Sequence, residues 1–256
     1  MEKIILVRYE EIFLKGQNKS IFESKLIKNI KKKLENLAVT KVTKSQSRIY
    51  IESRDADFDA EEAAERLKKV FGIASISMVE KVESDYEIIK EAAFIHVKNL
   101  LSAKPYKTFK VEAKRGDKTF FMNSPQICAD LGGHILNHFP ELKVDVHHPD
   151  FIFYVEVRES TYLYSEILPM AKGLPTGTGG TATLLLSGGI DSPAAGWMVA
   201  KRGVELEAVY FHSPPYTSER ARDKVVKLAQ ILSDWCMGIK LHIVPFTEIQ
   251  LAINEK

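Results

Sequence analysis

Ten consecutive residues constrain this chain more than any other stretch: Leu184-Leu185-Leu186-Ser187-Gly188-Gly189-Ile190-Asp191-Ser192-Pro193. The apolar run Ala182–Leu186 reads as a parallel strand buried on both faces. It ends in Ser-Gly-Gly, and a helix is expected from Ser192 with Pro193 at its first position. Two glycines let backbone approach a ligand without a Cβ in the way. The helix start aims unpaired N–H groups and a partial positive charge at the same point. Ser187 and Ser192 add hydroxyls. These features describe a pyrophosphate cradle. The plainer alternative is a tight turn with Ser192 as an ordinary cap, and the whole strand–SGGIDS–helix context favours the nucleotide site. Two rivals fail. No Gly-x-x-x-x-Gly-Lys-Ser/Thr spacing exists. Gly177-Thr178-Gly179-Gly180-Thr181-Ala182 matches a dinucleotide fingerprint but precedes the strand, at the wrong end of a sheet.

The pattern after this motif continues as strand 206–211, helix 218–236 and strand 239–244, the β-α-β-α-β start of a doubly wound parallel sheet. The N-terminal part reads differently. A strand at Ile4–Val7 precedes a helix with Ser20 and Glu23 at capping-box spacing. Strands follow at Val39–Lys44 and Arg48–Ser53, then a helix at Glu61–Phe71 and an alternating strand at Ile73–Val82. That β-α-β-β-α-β order is ferredoxin-like. A further α/β unit follows: helix 85–101, strand 108–114, helix 124–139 with Ser124 as cap before Pro125, and strands at 151–158 and 161–168. Pro169–Thr178, rich in Pro and Gly, reads as a linker. The fold class is thus mixed α/β and α+β with several domains. We place their limits at 1–60 for the ferredoxin-like part, 61–168 for the second unit, 169–178 for the linker and 179–256 for the nucleotide lobe.

Composition adds little until charge is followed along the chain. The net charge is only +2. Residues 1–50 hold twelve Lys/Arg against five Asp/Glu, whereas 51–65 hold Arg54 against seven acids that include Asp55 and Asp57. A second basic cluster, Lys104 to Lys118, contains Lys110, Lys114, Arg115 and Lys118, interleaved with Tyr106, Phe109, Phe120 and Phe121. Cations can meet phosphates while rings stack on bases; the bland reading is a solvated strand with its aromatics in the core. The run Lys31-Lys32-Lys33 with Lys15 is either a solvated helix end or part of one RNA face. Two cysteines fit a reducing cytosol, no signal-peptide core or membrane-length apolar run is present, and the expected location is cytoplasmic.

SGGIDSP resembles the PP-loop of ATP pyrophosphatases. With Val209-Tyr210-Phe211-His212-Ser213-Pro214-Pro215-Tyr216, Leu241-His242-Ile243-Val244-Pro245-Phe246, and the N-terminal Tyr9-Glu10-Glu11-Ile12-Phe13-Leu14-Lys15-Gly16, the chain is similar throughout to the tRNA 4-thiouridine synthetases, or tRNA sulfurtransferases. The resemblance implies a ferredoxin-like domain, a THUMP RNA-binding domain with Phe109–Arg115 in its basic strand-loop, and a PP-loop domain. It implies ATP and Mg²⁺ as cofactors. Ser187, Gly188, Gly189 and Ser192 would hold the β,γ-phosphates, with Asp191 beside them as the catalytic candidate, through Mg²⁺. Leu185, Leu186, Tyr210 and Phe211 would border adenosine, and His212 is either with them or a satisfied turn histidine. Lys110, Lys114, Arg115 and Lys118 would contact RNA. In the family, O4 of uridine 8 in tRNA is adenylated and a protein persulfide, charged by a cysteine desulfurase, replaces it with sulfur; the same sulfur can serve thiamine thiazole synthesis. The resemblance also implies a homodimer in which RNA held by one subunit reaches the other's pocket.

The chain departs from that family by ending at Lys256, in what reads as the first turn of a helix, with three parallel strands. The family's sulfur-accepting cysteine matches neither Cys128 nor Cys236, which read as packing residues on helices. The expectation is that this polypeptide does not thiolate tRNA unaided. A non-catalytic tRNA-binding module with an inert partial nucleotide lobe is the alternative, and an amidating ligase for a small metabolite fits the basic N-terminal half poorly. His134 and His138, four apart, lack further ligands for a metal and read as core or solvated. Trp197, Trp235, Met198 and Met237 read as helix packing.

Overall fold

The computed structural model describes residues 2–37, 40–53 and 58–255. Val39, expected to open a strand, Arg54, Asp55 and Asp57 of the acidic stretch, and Lys256 lie outside the described residues. The elements run β1 (Glu2–Arg8), a 3-10 segment (Glu11–Asn18), α1 (Lys19–Leu34), β2 (Thr40–Ser45), β3 (Arg48–Ser53), α2 (Ala60–Leu67) and β4 (Ser75–Glu83). They continue with α3 (Tyr86–Ala103), β5 (Thr108–Arg115), α4 (Ser124–His138), β6 (Lys143–Val144), β7 (Phe151–Val157), β8 (Ser160–Tyr164) and β9 (Leu168–Pro169). The last part is β10 (Thr181–Leu185), α5 (Asp191–Ala200), β11 (Glu205–His212), α6 (Glu219–Trp235), β12 (Lys240–Pro245) and α7 (Thr247–Asn254).

The chain divides into two compact units. The first comprises Met1–Leu6, Tyr50–Glu52 and Ile76–Leu168. Its strands take the order β3-β1-β4-β8-β7-β5-β6, with β5 and β7 parallel and β7 and β8 antiparallel. Helices α3 and α4 supply Ile89, Val97, Ile127, Leu131 and Ile135 to a core shared with Phe109, Phe153 and Val155. Two of the helices start on side-chain caps. Asp85 accepts from the Glu87 and Ile88 amides ahead of α3. Before α4 the cap is Asn123, not Ser124, in a reciprocal box with Gln126. The Ser124 hydroxyl is already taken by the Arg115 amide.

The second unit comprises Val7–Ile49, Ser53–Ser75 and Pro169–Lys256. Its parallel sheet has the order β10-β11-β12, in register Leu185↔Val209 and Phe211↔Val244. Helices α5 and α6 cover one face, where Leu186, Ala208, Tyr210, Val225, Ala229 and Leu232 form a core. The other face carries Leu185 at 65% and Phe211 at 44% exposure. The capping box expected at Ser20 does not form, because helix α1 already starts at Lys19 and Glu23 is buried. The Glu23 carboxylate instead accepts from the Tyr9 hydroxyl and from Lys44. Burial alone would raise its pKa, but the bonds from Lys44 and Tyr9 outweigh that and hold it below the usual carboxylate value.

Three further expectations change. The segment 169–178 is not a loose tether: Leu174, Pro175 and Thr176 are buried, and the Gly177, Thr178 and Gly179 amides all donate to the Gly203 carbonyl. The C-terminal helix, expected only as an opening turn, runs a full two turns as α7. Met198 is 65% exposed and Met237 adopts a positive φ of 61° in the turn after α6, so neither is helix packing; Trp197 and Trp235 are.

Candidate nucleotide site and RNA-facing surface

The loop from Leu186 to Ile190 joins β10 directly to α5, so the strand-to-helix junction expected from the sequence is present. The Leu186 amide donates to the Val209 carbonyl, which holds the loop's first residue to β11. Ser187 and Ser192 close the bend: the Ser187 amide donates to Ser192 Oγ at 3.0 Å, and the two hydroxyl oxygens are 3.0 Å apart. The Gly189 amide reaches Ser187 Oγ at 3.3 Å. The amides of Gly188 and Ile190 have no partner among the described residues. No side chain caps α5, whose preceding residue is Ile190. The sequence reading of Ser192 as a cap is therefore replaced by a hydroxyl that braces the loop from inside the helix. Asp191 opens α5 and is exposed. The arrangement is a solvent-open bend of free amides and hydroxyls at the positive end of a helix dipole, suited to an anion.

The four residues expected around adenosine separate by strand parity. Leu185 and Phe211 face the open side of the sheet. Leu186, at 3% exposure, and Tyr210, at 8%, point into the helix-covered core, so their side chains are spent on packing. His212 lies at the end of β11 and is 9% exposed. Its Nε2 has no hydrogen-bond partner and sits 4.0 Å from Glu219. The ring is therefore not a satisfied turn histidine.

One residue that holds this site was not recognised in the sequence. A Cβ on Gly196 would lie 2.6 Å from Leu184 Cδ2, so a larger residue there would make the Leu184 side chain shift where α5 packs on β10. A Gly in a helix pattern is the signal that could have found it. Two residues of the N-terminal part also brace the lobe. Phe71, 1% exposed, contacts Trp197 of α5 and Trp235 of α6, with ring centroids at 5.3 and 5.7 Å. Asn29 donates to the Thr176 carbonyl at 3.1 Å.

The lysine run on α1 does not form a free basic face. Lys32 donates to the Met237 carbonyl and Lys33 to the Asp234 carbonyl, at the C-terminal end of α6. Lys69 pairs with the Asp234 carboxylate at 2.8 Å and Lys25 with Glu205 at 3.1 Å. Lys15 lies over the Phe22 ring. Among these residues Lys31 is exposed and without a partner.

In the first unit, β5 alternates as its sequence suggests. Phe109 and Val111 are buried, and Lys110, Glu112 and Lys114 share the other face. Lys110 pairs with Glu112 at 2.7 Å, and that bond raises its pKa. Arg115 donates to the Phe120 carbonyl and shapes the following loop. Lys114 and Lys118 are exposed and have no partner among the described residues. Of the interleaved rings, Phe109 is core and Tyr106 and Phe120 pack against the core, whereas Phe121 is 71% exposed. The His134 and His138 rings lie 4.5 Å apart, tilted by 50°, and burial followed by the His138 charge lowers the His134 pKa. No cluster of three or more metal-ligating side chains occurs among the described residues.

Comparison with known proteins agrees with this geometry. Residues 4–77 match the ThiI ferredoxin-like domain, 83–166 the THUMP domain, and 177–256 the thiamine biosynthesis protein ThiI. The chain belongs to the ThiI family, that of the tRNA sulfurtransferases. It is 60% identical to a probable tRNA sulfurtransferase of Acetivibrio thermocellus, over all of this chain and 65% of that protein. A probable tRNA sulfurtransferase of Thermoanaerobacter pseudethanolicus is 52% identical over all of the chain and 66% of its own length. The ThiI-family chain thus spans about two thirds of these curated relatives. Among solved structures, a 4-thiouridine synthetase–RNA complex with bound ATP superposes with a TM-score of 0.89 at 41% identity, covering 100% of this chain and 65% of that one. PH1313 from Pyrococcus horikoshii Ot3 gives 0.84 at 30% identity, covering 99% and 82%. No helix among the described residues is long and apolar enough to cross a membrane.

Proposed function

We propose that this chain carries the tRNA-binding module and the first part of the ATP-splitting lobe of a tRNA 4-thiouridine synthetase, working in the cytoplasm as a homodimer. The observation that carries this reading is the open Ser187–Ser192 bend, with unpaired amides at Gly188 and Ile190, at the strand-to-helix junction of a parallel sheet. The ATP and RNA in the solved 4-thiouridine synthetase complex support it. Ser187, Gly188, Gly189 and Ser192 hold the β,γ-phosphates. Leu185 and Phe211 offer exposed apolar surface to the adenine, and His212 turns an unpaired ring nitrogen to the ligand. Lys114 and Lys118, with Phe121, face RNA, while Lys110 and Arg115 shape that surface.

The chemistry follows the family. O4 of uridine 8 attacks the α-phosphorus of ATP, and pyrophosphate leaves. The outer sulfur of a protein persulfide, charged by a cysteine desulfurase, then attacks C4 and AMP leaves; a second protein thiol cleaves the resulting S–S bond, which frees the thiouridine and leaves a disulfide, and the same relay can serve thiamine thiazole synthesis. The one carboxylate at the bend, Asp191, fits Mg²⁺ only in company with phosphate oxygens, as is usual for that ion; bound there, the ion would neutralise charge on the leaving pyrophosphate. The chain's own cysteines do not suit the sulfur step. Burial pushes the Cys236 thiol up to about 11, which leaves little thiolate at neutral pH. Cys128 Sγ accepts a bond from the Ala113 amide.

The test is to titrate ATP and tRNA separately into the protein. ATP at a hundredfold excess over its Kd should stabilise the fold by about 2.7 kcal/mol. The open sheet face at Leu185 and Phe211 leaves a second reading, an RNA-binding module with an inert lobe. Binding of tRNA with no thermal response to ATP would select it.

A further inference from the structure

The phosphate-binding bend has one deficit. Its donors are neutral amides and hydroxyls, and its only formal charge is the negative Asp191. The helix dipole supplies about half a positive charge, while a triphosphate carries several negative ones. A formal cation is needed, and the bend itself contains none.

Helix α6 brings one. A Cβ placed on Gly188 would lie 3.7 Å from Cδ of Lys224, so the lysine's aliphatic stem runs against the bare Cα of the cradle glycine. The ammonium group is two bonds further on. Lys224 is exposed and has no ion pair or hydrogen bond among the described residues. Its neighbours are neutralised differently: Arg222 pairs with Glu219 at 2.7 Å and with Asp223 at 3.5 Å. In the first turn and a half of α6, Arg222, Glu219 and Asp223 are thus spent on one another, Arg220 is exposed without a partner among the described residues, and of the two unpaired cations Lys224 is the one whose stem reaches Gly188. A lysine stem held against glycine with its amine unpaired suits a point-charge contact to phosphate.

We infer that Lys224 is a phosphate-binding residue of this site, a cation lent by α6 that contacts the β- or γ-phosphate and follows the pyrophosphate as it forms. The inference rests on the nucleotide reading above and deepens it.

Isothermal titration of the protein, Lys224→Met and Lys224→Arg with ATP, inorganic pyrophosphate and AMP tests it. Methionine keeps the stem and removes the charge. Lys224→Met should weaken ATP and pyrophosphate roughly tenfold, the loss of a single charged contact, and leave AMP within about twofold. Its pyrophosphate affinity should depend less steeply on salt. Lys224→Arg should stay within about threefold of the parent for all three ligands. Because the side chain is exposed, all variants should melt like the parent. Unchanged pyrophosphate binding in Lys224→Met, or an equal loss of AMP and pyrophosphate, would overturn the inference while leaving the nucleotide site standing. A parent protein that binds neither ATP nor pyrophosphate would instead overturn the nucleotide reading, and this inference with it.

Discussion

Two lysine clusters look alike in the sequence and behave oppositely in the fold. Lys31–Lys33 and the Lys110–Lys118 stretch are both dense, basic and set among apolar residues. In the first, Lys33 reaches the Asp234 carbonyl in the last turn of α6 and Lys32 the Met237 carbonyl in the turn after it, and Lys69 and Lys25 are matched by Asp234 and Glu205. In the second, Lys114 and Lys118 have no partner among the described residues, and the exposed ring of Phe121 belongs to the same strand-loop. Charge density therefore does not mark a nucleic-acid surface. On the function proposed above, what would mark it is charge left uncompensated, because a cation already bonded to carbonyls or carboxylates must give up those bonds before it meets a phosphate.

The largest expected effect breaks the bracing that accompanies the first cluster. Phe71→Ala should lower stability by about 3–5 kcal/mol, the usual cost of emptying a buried phenylalanine site, because it removes the contact of Phe71 with Trp197 and Trp235. Urea unfolding followed by tryptophan fluorescence would show it; a loss within 1 kcal/mol would mean the two tryptophans repack without it.

Next in size is the test of the second cluster. Charge reversal at Lys114 and Lys118 should reduce tRNA affinity roughly tenfold or more at physiological salt and lower the slope of log K against log salt by about two. Stability should change by less than about 0.5 kcal/mol. Arg115 is better left intact because its guanidinium holds the Phe120 carbonyl. An unaltered salt slope would remove both lysines from the interface.

The mirror experiment on the first cluster is smaller. Lys32→Ala with Lys33→Ala should cost about 1–2 kcal/mol of stability, the sum of two charged bonds to carbonyls at a helix C-terminus, and leave the RNA salt slope where it was. If that variant instead lost tRNA affinity at unchanged stability, the contrast between the clusters would collapse.

The smallest effect concerns Glu23, whose pKa is held below its ordinary value. A depressed carboxylate stabilises the fold above its unfolded pKa and loses that contribution as pH falls through the folded one. Urea midpoints measured from pH 7 down to pH 3 should fall on this account, and Glu23→Gln should flatten that part of the decline. An equal decline in both proteins would assign the acid sensitivity elsewhere.

Much of the architecture was readable because it is local. Hydrophobic alternation located β4, and the helix expected from Ser218 starts one residue later as α6, with Ser218 as its cap. The strand-to-helix bend was readable for the same reason: Ser187 to Ser192 is one contiguous stretch whose glycines and helix start are written next to each other. Where several local partners were possible, the nearest in sequence did not always win. Ser20 and Glu23 do not cap α1, and Asn123 displaces Ser124 at α4. In both cases a distant group, Lys44 in one and the Arg115 amide in the other, takes the side chain the local rule had assigned.

By itself, then, the sequence determined the kind of elements, their order and the chemistry of the Ser187–Ser192 bend, since each depends on residues a few positions apart. Only the tertiary structure decided which lysines are free, which of Leu185, Leu186, Tyr210 and Phe211 face solvent, and that Lys224 lies against Gly188. Those are matters of contact between elements far apart along the chain, and a linear pattern of charges and apolar residues does not say which of them will meet.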